Sequence, residues 1–198
     1  MKNGGYFEMN SFFAMLSRMK YIDRWGLMNN TKTENISEHS LETAIIAHAL
    51  VNIAIVRLGE KLDPDRAAVI AMFHDATEIL TGDMPTPVKY YNPAIRDAYK
   101  KVEAVAGQKL ISMLPEDLRG VYSEILIDSD EALEPYVKAA DKISALIKCI
   151  EEVRMGNKEF LKAKEATEAS VKGMDLPAAN IFMSELLPPY YLTLDELG

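Results

Sequence analysis

Apolar residues recur every three or four positions along almost the whole 198-residue chain, and no stretch alternates apolar with polar residues as a half-buried strand does. That spacing gathers the apolar side chains of a helix into one stripe. The chain is therefore expected to be all-α, with helices over 9–20, 37–57, 64–81, 93–113, 116–127, 131–154, 157–170 and 176–187. Ser37 is an expected cap of the second helix. Asp63-Pro64 places a capping carboxylate before a proline in the first turn, and Pro115-Glu116-Asp117 opens another helix with acids at its positive end. Gly59 and Gly82 are expected stops. Residues 21–36 and 82–89 read as non-helical connections. No repeat, low-complexity tract or linker divides the chain, so residues 1–198 are expected to form a single domain, a helical bundle around one core.

The net charge of −8 opposes non-specific attraction to a nucleic acid polymer or an anionic membrane surface. It leaves room for a small phosphorylated substrate, which needs only one local positive site. The single cysteine, Cys149, permits no internal disulfide and fits a reducing cytoplasm, the expected compartment. The N-terminus lacks the basic, apolar and small-residue order of a secretory signal. No stretch reaches the ~18 uninterrupted apolar residues of a membrane span, so no membrane association is expected.

Three ionisable residues interrupt the otherwise apolar segment AAVIAMFHDATEIL: His74, Asp75 and Glu78. Burying such groups is costly unless they are paired or bind a metal. On one continuous helix, His74 and Glu78 stand at i,i+4, and Asp75 and Glu78 at i,i+3, so all three would crowd one side. His39 upstream and Asp141 downstream supply matching ligands. The three histidines can be sorted by geometry. His39 and His48 are nine residues apart on one helix and face opposite sides, so His48 is expected to be a packing or surface residue. Two usable histidines imply one metal ion rather than two. Asp141 lies on or beside the apolar stripe of its helix. Alone it reads as an ion-pair or capping residue, and the company of His39 and His74-Asp75 makes it a ligand. Two imidazoles and two carboxylates suit a borderline divalent ion such as Mn, Co, Fe, Zn or Ni, with positions left for water and a phosphoryl oxygen. Glu78 reads either as a solvated residue near a helix C-terminus or as an acid/base beside the metal.

The strings FFAMLSRMKYIDRWGLMNNTKTENISEHSL, AMFHDATEILTGDMPTPVKYYN and VKAADKISALIKCIEE resemble the HD-domain 5′-deoxynucleotidases of the bacterial deoxyribonucleoside 5′-monophosphatase type. The likeness runs from Phe12 to the YLTLDEL tail, mostly in helical character over the last third. It implies an all-α HD-domain bundle that forms a homodimer. The implied reaction removes phosphate from deoxyribonucleoside 5′-monophosphates and spares ribonucleotides, with one divalent cation such as Co or Mn. It implies metal ligation by His39, His74, Asp75 and Asp141, of which His39, Asp75 and Asp141 also border the substrate. It assigns catalysis to Glu78, Arg24 and Asp75, phosphate orientation to Arg24, the sugar to Trp25, and nucleotide contact to Asp83, Met84, Pro85 and Thr86. Met84 stands where leucine is frequent. The chemistry agrees: an arginine fork holds a phosphate dianion well, Trp25 can crowd a 2′-hydroxyl, and Asp83 can accept from a 3′-hydroxyl. Two alternatives stand beside this reading. One is another HD-type phosphohydrolase acting on cyclic nucleotides, nucleoside triphosphates or alarmones. The other is a non-catalytic metal-binding helical module.

Overall fold

The computed structural model describes residues 10–89, 91–128 and 130–198, apart from the side chain of Thr86. Those residues form helices and turns, with one isolated bridge between Asp23 and Asn35 and no strand among them.

The first helix, α1 (Phe12–Leu16), passes into a 3₁₀ turn at Ser17–Tyr21. A non-helical strap then leads to α2 (Ile36–Leu58). The cap of α2 is Asn35, not Ser37. The bridge to Asp23 holds Asn35 extended, so its carboxamide oxygen accepts from the Ser37 and Glu38 amides at 3.0 and 3.1 Å. The Glu38 carboxylate accepts from the Asn35 amide in return, a reciprocal cap that contributes about 1 kcal/mol. Gly59 ends α2 at φ 77°, where a Cβ would be strained.

Asp63 caps α3 (Pro64–Phe73) as expected, accepting from the Arg66 amide at 3.0 Å. The expected helix 64–81 does not continue. It breaks into a turn at 74–77 and resumes as the short α4 (Glu78–Thr81). Ala76 in that turn is fully buried in a small satellite core with Phe12, Leu110, Ile111 and Leu114, which holds the break in place. Gly82 stops α4 at φ 73°. The following segment, expected to be all loop, contains the one-turn α5 (Thr86–Lys89). Next come α6 (Pro93–Ser112), capped by Asn92, and α7 (Glu116–Leu126). Helix α8 (Glu134–Arg154) begins later than expected because residues 131–133 form a turn with the Leu133 amide donating to Asp130. A 3₁₀ turn at Lys158–Phe160 precedes α9 (Leu161–Lys172), and α10 (Pro177–Ile181) continues as a π turn to Leu186.

Helix α2 lies at the centre, packed on α3 and α8, with α9 against the far side of α8. Ile46 and Leu50 of α2 meet Ile143, Leu146, Ile147 and Ile150 of α8 in the main core, all essentially inaccessible. Burial of each such side chain contributes about 1.5–3 kcal/mol. Helix α2 is long and apolar enough on average to cross a membrane. Many of its apolar residues pack into this core, and Glu38, His39, Glu42 and His48 interrupt it. Cys149 is buried in the same layer, its thiol pushed up to about 12 by burial.

Candidate active site

His39 comes from the first turns of α2, His74 and Asp75 from the break between α3 and α4, and Asp141 from α8. Their donor atoms converge. His39 Nε2 lies 3.1 Å from Asp141 Oδ1 and 3.6 Å from Asp75 Oδ2. His74 Nε2 lies 3.2 Å from Asp75 Oδ2 and 3.8 Å from Asp141 Oδ1. One atom each from His39, His74 and Asp141 fits within 4.8 Å of the others. His74 and Asp75 lie in the turn that follows α3, and their donor atoms stand 3.2 Å apart there. The expected continuous helix is interrupted, but Glu78, the first residue of α4, still lies close enough to Asp75 to feel its charge.

Both imidazoles are held with Nε2 inward. His74 Nδ1 lies 2.7 Å from the Ala71 carbonyl, which can only accept, so Nδ1 carries the proton. Ser144 Oγ donates to Glu42 at 2.6 Å, and its one proton is then committed, so it accepts from His39 Nδ1 at 3.0 Å. His74 Nε2 is buried and makes no hydrogen bond. Two inward lone pairs facing two carboxylates need a positive charge among them. Metal–ligand bonds of ~2.1 Å place neighbouring ligand atoms roughly 3–3.5 Å apart, close to the spacing found. The residues present thus fit a divalent cation, and the Ser144–Glu42 relay is the supporting shell such ligands require.

Electrostatics agree with that fit. Burial keeps His39 below its ordinary value. Burial also lowers His74, but Asp75 and Asp141 outweigh it and hold the ring well above its usual range. Burial would raise both aspartates, yet the histidines reverse this, leaving Asp75 low and Asp141 well below the carboxylate range. Glu78 behaves in the opposite way. Only 7% exposed, with Oε2 buried and unpartnered, it is pushed up to about 9 by burial and by the charges of Asp75 and Asp83.

A cleft of about 360 Å³ opens beside the cluster. Arg24, Trp25, Leu27 and Met28 of the strap line one wall, Asp83, Pro85 and Pro87 another, and Asp141 and Lys142 of α8 the floor. Arg24 Nη1 pairs with Glu34 at 2.6 Å, both side chains 12% exposed, and Trp25 Nε1 donates to the same carboxylate at 3.0 Å. Trp25 holds a left-handed backbone (φ 62°), costing roughly 1–3 kcal/mol in a bulky residue. Its ring rests on Phe160, with centroids 5.3 Å apart. Across the cleft from Arg24, burial raises the Asp83 carboxyl. Of the loop residues singled out from sequence, Asp83 and Pro85 line the cleft, whereas Met84 is half-buried and does not. The side chain of Thr86 lies outside the described residues. His48 is exposed on the far face of α2, 3.5 Å from Asp65, as its spacing required. Sequence reasoning missed Glu34, Glu42, Ser144 and Lys142. Glu42 and Ser144 had a legible signal, since each shares a helix side with a singled-out ligand, His39 and Asp141. Glu34 had none.

A model of the YfbR-like 5′-deoxynucleotidases matches residues 11–190, nearly the full length of the chain. The chain belongs to this family. Its sequence is 48% identical over 189 residues to a 5′-deoxynucleotidase of Erwinia tasmaniensis, covering 94% of this chain and 96% of that one. It is 46% identical over 194 residues to the 5′-deoxynucleotidase YfbR of Escherichia coli, covering 96% and 97%. An HD-domain phosphohydrolase from Listeria innocua shares the fold at TM-score 0.80 and 22% identity, covering 91% of this chain and 88% of its own. The HD phosphohydrolase of cyanophage S-2L, solved with dA and one catalytic Zn²⁺ ion, aligns at TM-score 0.66 and 19% identity, covering 91% and 96%. The family is thus shown by sequence, and the all-α HD fold by both comparisons.

Proposed function

We propose that this family member is a metal-dependent phosphomonoester hydrolase that cleaves deoxyribonucleoside 5′-monophosphates and rejects ribonucleotides. The observation that carries the reading is the convergence of His39, His74, Asp75 and Asp141 at the side of a cleft whose other walls hold Arg24 and Asp83. These four residues would hold one divalent cation, of the Co, Mn or Zn kind. Bound there, the cation supplies Lewis-acid stabilisation of phosphoryl charge and lowers the pKa of water.

The protein's own groups do the rest. Arg24 spends one nitrogen on Glu34 and retains other N–H donors for phosphate oxygens, fixed in direction by that pair. Lys142 adds a second cation at the cleft floor. Glu78, buried and close to Asp75, is placed for an acid/base passing a proton between the attacking water and the departing 5′ oxygen. Asp83 is the acceptor for the 3′-hydroxyl. The Trp25 ring, held between Glu34 and Phe160, is the surface that leaves no partner for a 2′-hydroxyl, and a polar group desolvated without a partner costs about 1–3 kcal/mol. One cleft of this size, with few cations, suits a monophosphate better than a triphosphate. We further propose a cytoplasmic homodimer. The buried lone thiol of Cys149 supports the compartment, and exposed Leu41 and Ile45, one turn apart on α2, support a second subunit.

The deciding experiment is phosphate release from paired dAMP and AMP, after chelation and after return of Mn, Co or Zn. The expected result is turnover of dAMP only, and only with metal. Equal turnover of AMP overturns the sugar discrimination, and metal-independent turnover overturns the role of the cluster.

A further inference from the structure

Four polar residues of α8, Asp141, Ser144, Lys148 and Glu152, are spaced three, four and four apart and form one stripe along the helix. Asp141 and Ser144 belong to the cation cluster. Lys148 and Glu152 lie beyond it, 4% and 0% exposed. An ion pair this deep is weak evidence for stability, because desolvation consumes much of the attraction. Its hydrogen bonds point to a different use.

Glu152 accepts from four donors. The Thr31 amide lies at 2.9 Å, the Lys32 amide at 3.2 Å and the Asn157 side chain at 2.8 Å, and Lys148 Nζ is the fourth. Lys148 also donates to the Lys32 carbonyl. Asn157 donates to the Asn29 carbonyl at 2.8 Å, and the Asn29 amide donates to Glu159. Burial would raise the Glu152 carboxyl, but these bonds hold it far below the carboxylate range. The tied backbone, residues 29–32, is the far limb of the strap that carries Arg24 and Trp25. The Asn157 turn leads directly into Phe160, on which Trp25 rests and over which Lys148 sits.

We infer that the buried Lys148–Glu152 pair is the anchor of the strap, and that Glu152 is a positioning residue for phosphate binding by Arg24. Among the described residues, regular secondary structure fastens the strap at one point, the Asp23–Asn35 bridge. Helix α8 supplies the second fastening, from the same stripe that supplies Asp141, so both walls of the cleft share one reference frame. Loosening the anchor lowers the fraction of molecules with Arg24 in place. Apparent substrate affinity falls by that fraction, while turnover from the assembled state persists.

The inference rests on the phosphomonoesterase reading for its kinetics, and it has a readout that does not. Trp25 is the sole tryptophan, so its emission and acrylamide quenching report the strap without substrate. For Glu152→Gln, with far-UV circular dichroism and bound metal as in the parent, we expect red-shifted, more readily quenched Trp25 emission. We expect KM for dAMP to rise about tenfold, the scale of one lost charge-assisted hydrogen bond, with kcat within about threefold of the parent. A folded variant with parental Trp25 quenching and parental KM overturns the inference. So does a loss confined to kcat and metal content. If Glu152→Gln does not fold, Asn157→Ala, which lies outside α8, decides in its place. It should show the same quenching change and a KM increase of about threefold, and parental values there overturn the anchor. A parent enzyme that releases no phosphate from dAMP sinks the functional reading instead, leaving the quenching result to judge the strap.

Discussion

The His–Asp cluster and the strap stand on two sides of one cleft, and they are built by different means. His39 and Asp141 project from the long core helices α2 and α8, and His74 and Asp75 from a turn locked by buried Ala76. Their positions follow from apolar packing, which tolerates little displacement. Arg24 and Trp25 sit on irregular backbone, one of them in a left-handed conformation, held by the neighbouring Glu34 and, further along the strap, by Glu152 more than 100 residues away. The first region is suited to fixing a small ion whose ligand distances admit little error. The second is held by a few separable bonds, suited to a substrate that must enter and leave. Lost interactions should therefore show as all-or-none metal occupancy on one side and as graded affinity on the other.

That contrast can be broken by substitution. Asp75→Asn should remove bound metal and bring phosphate release below detection, read by elemental analysis and a phosphate assay on one sample. A retained ion would end the claim that the cluster behaves as a unit. Glu78→Ala should keep its metal and lose about 10²-fold or more in kcat, the loss expected for an acid/base. Arg24→Ala should raise KM by about 10- to 100-fold at constant metal content, because a charged hydrogen-bond donor is lost from the graded side. Should Arg24→Ala shed metal instead, the two regions are not separable. Ser144→Ala, which cuts the relay behind His39, should weaken metal affinity about tenfold in a calorimetric titration while KM at saturating metal stays put.

The smallest effect concerns pH. Glu78 has an ordinary carboxyl value when unfolded and about 9 when folded, so between these values the folded state holds the extra proton. The stabilising share of that proton is present in acid and is lost as pH rises toward 9, at no more than about 1.4 kcal/mol per pH unit. In chelated protein, Glu78→Gln should flatten the decline of urea midpoint between pH 6 and 8, and an unchanged slope would move Glu78 out of its buried setting.

The two regions also differed in how far the sequence revealed them. His39, His74, Asp75 and Asp141 were readable because charged groups amid apolar helical spacing are rare and demand a partner. The all-α architecture was readable from the same spacing. The break at 74–77 was not, because Phe73-His74-Asp75-Ala76 has no glycine or proline and the turn is imposed by Phe12, Leu110 and Leu114 from elsewhere in the chain. Asn35 outcompeted Ser37 as a cap through a bridge to Asp23 that no local pattern announces. Glu34 and Glu152 look like solvated acids in sequence. Their importance comes from partners such as Arg24 and the Thr31 amide, and only folding sets those contacts.

The polar line along α8 carries one last consequence. Asp141, Ser144 and the Lys148–Glu152 pair, borne by one rod, are indexed to one another by helical pitch. A one-residue insertion within 142–151 would turn everything beyond it by ~100° and throw the two ends out of phase together. Such a lesion should cost this enzyme far more than a longer insertion in an exposed loop such as 59–63.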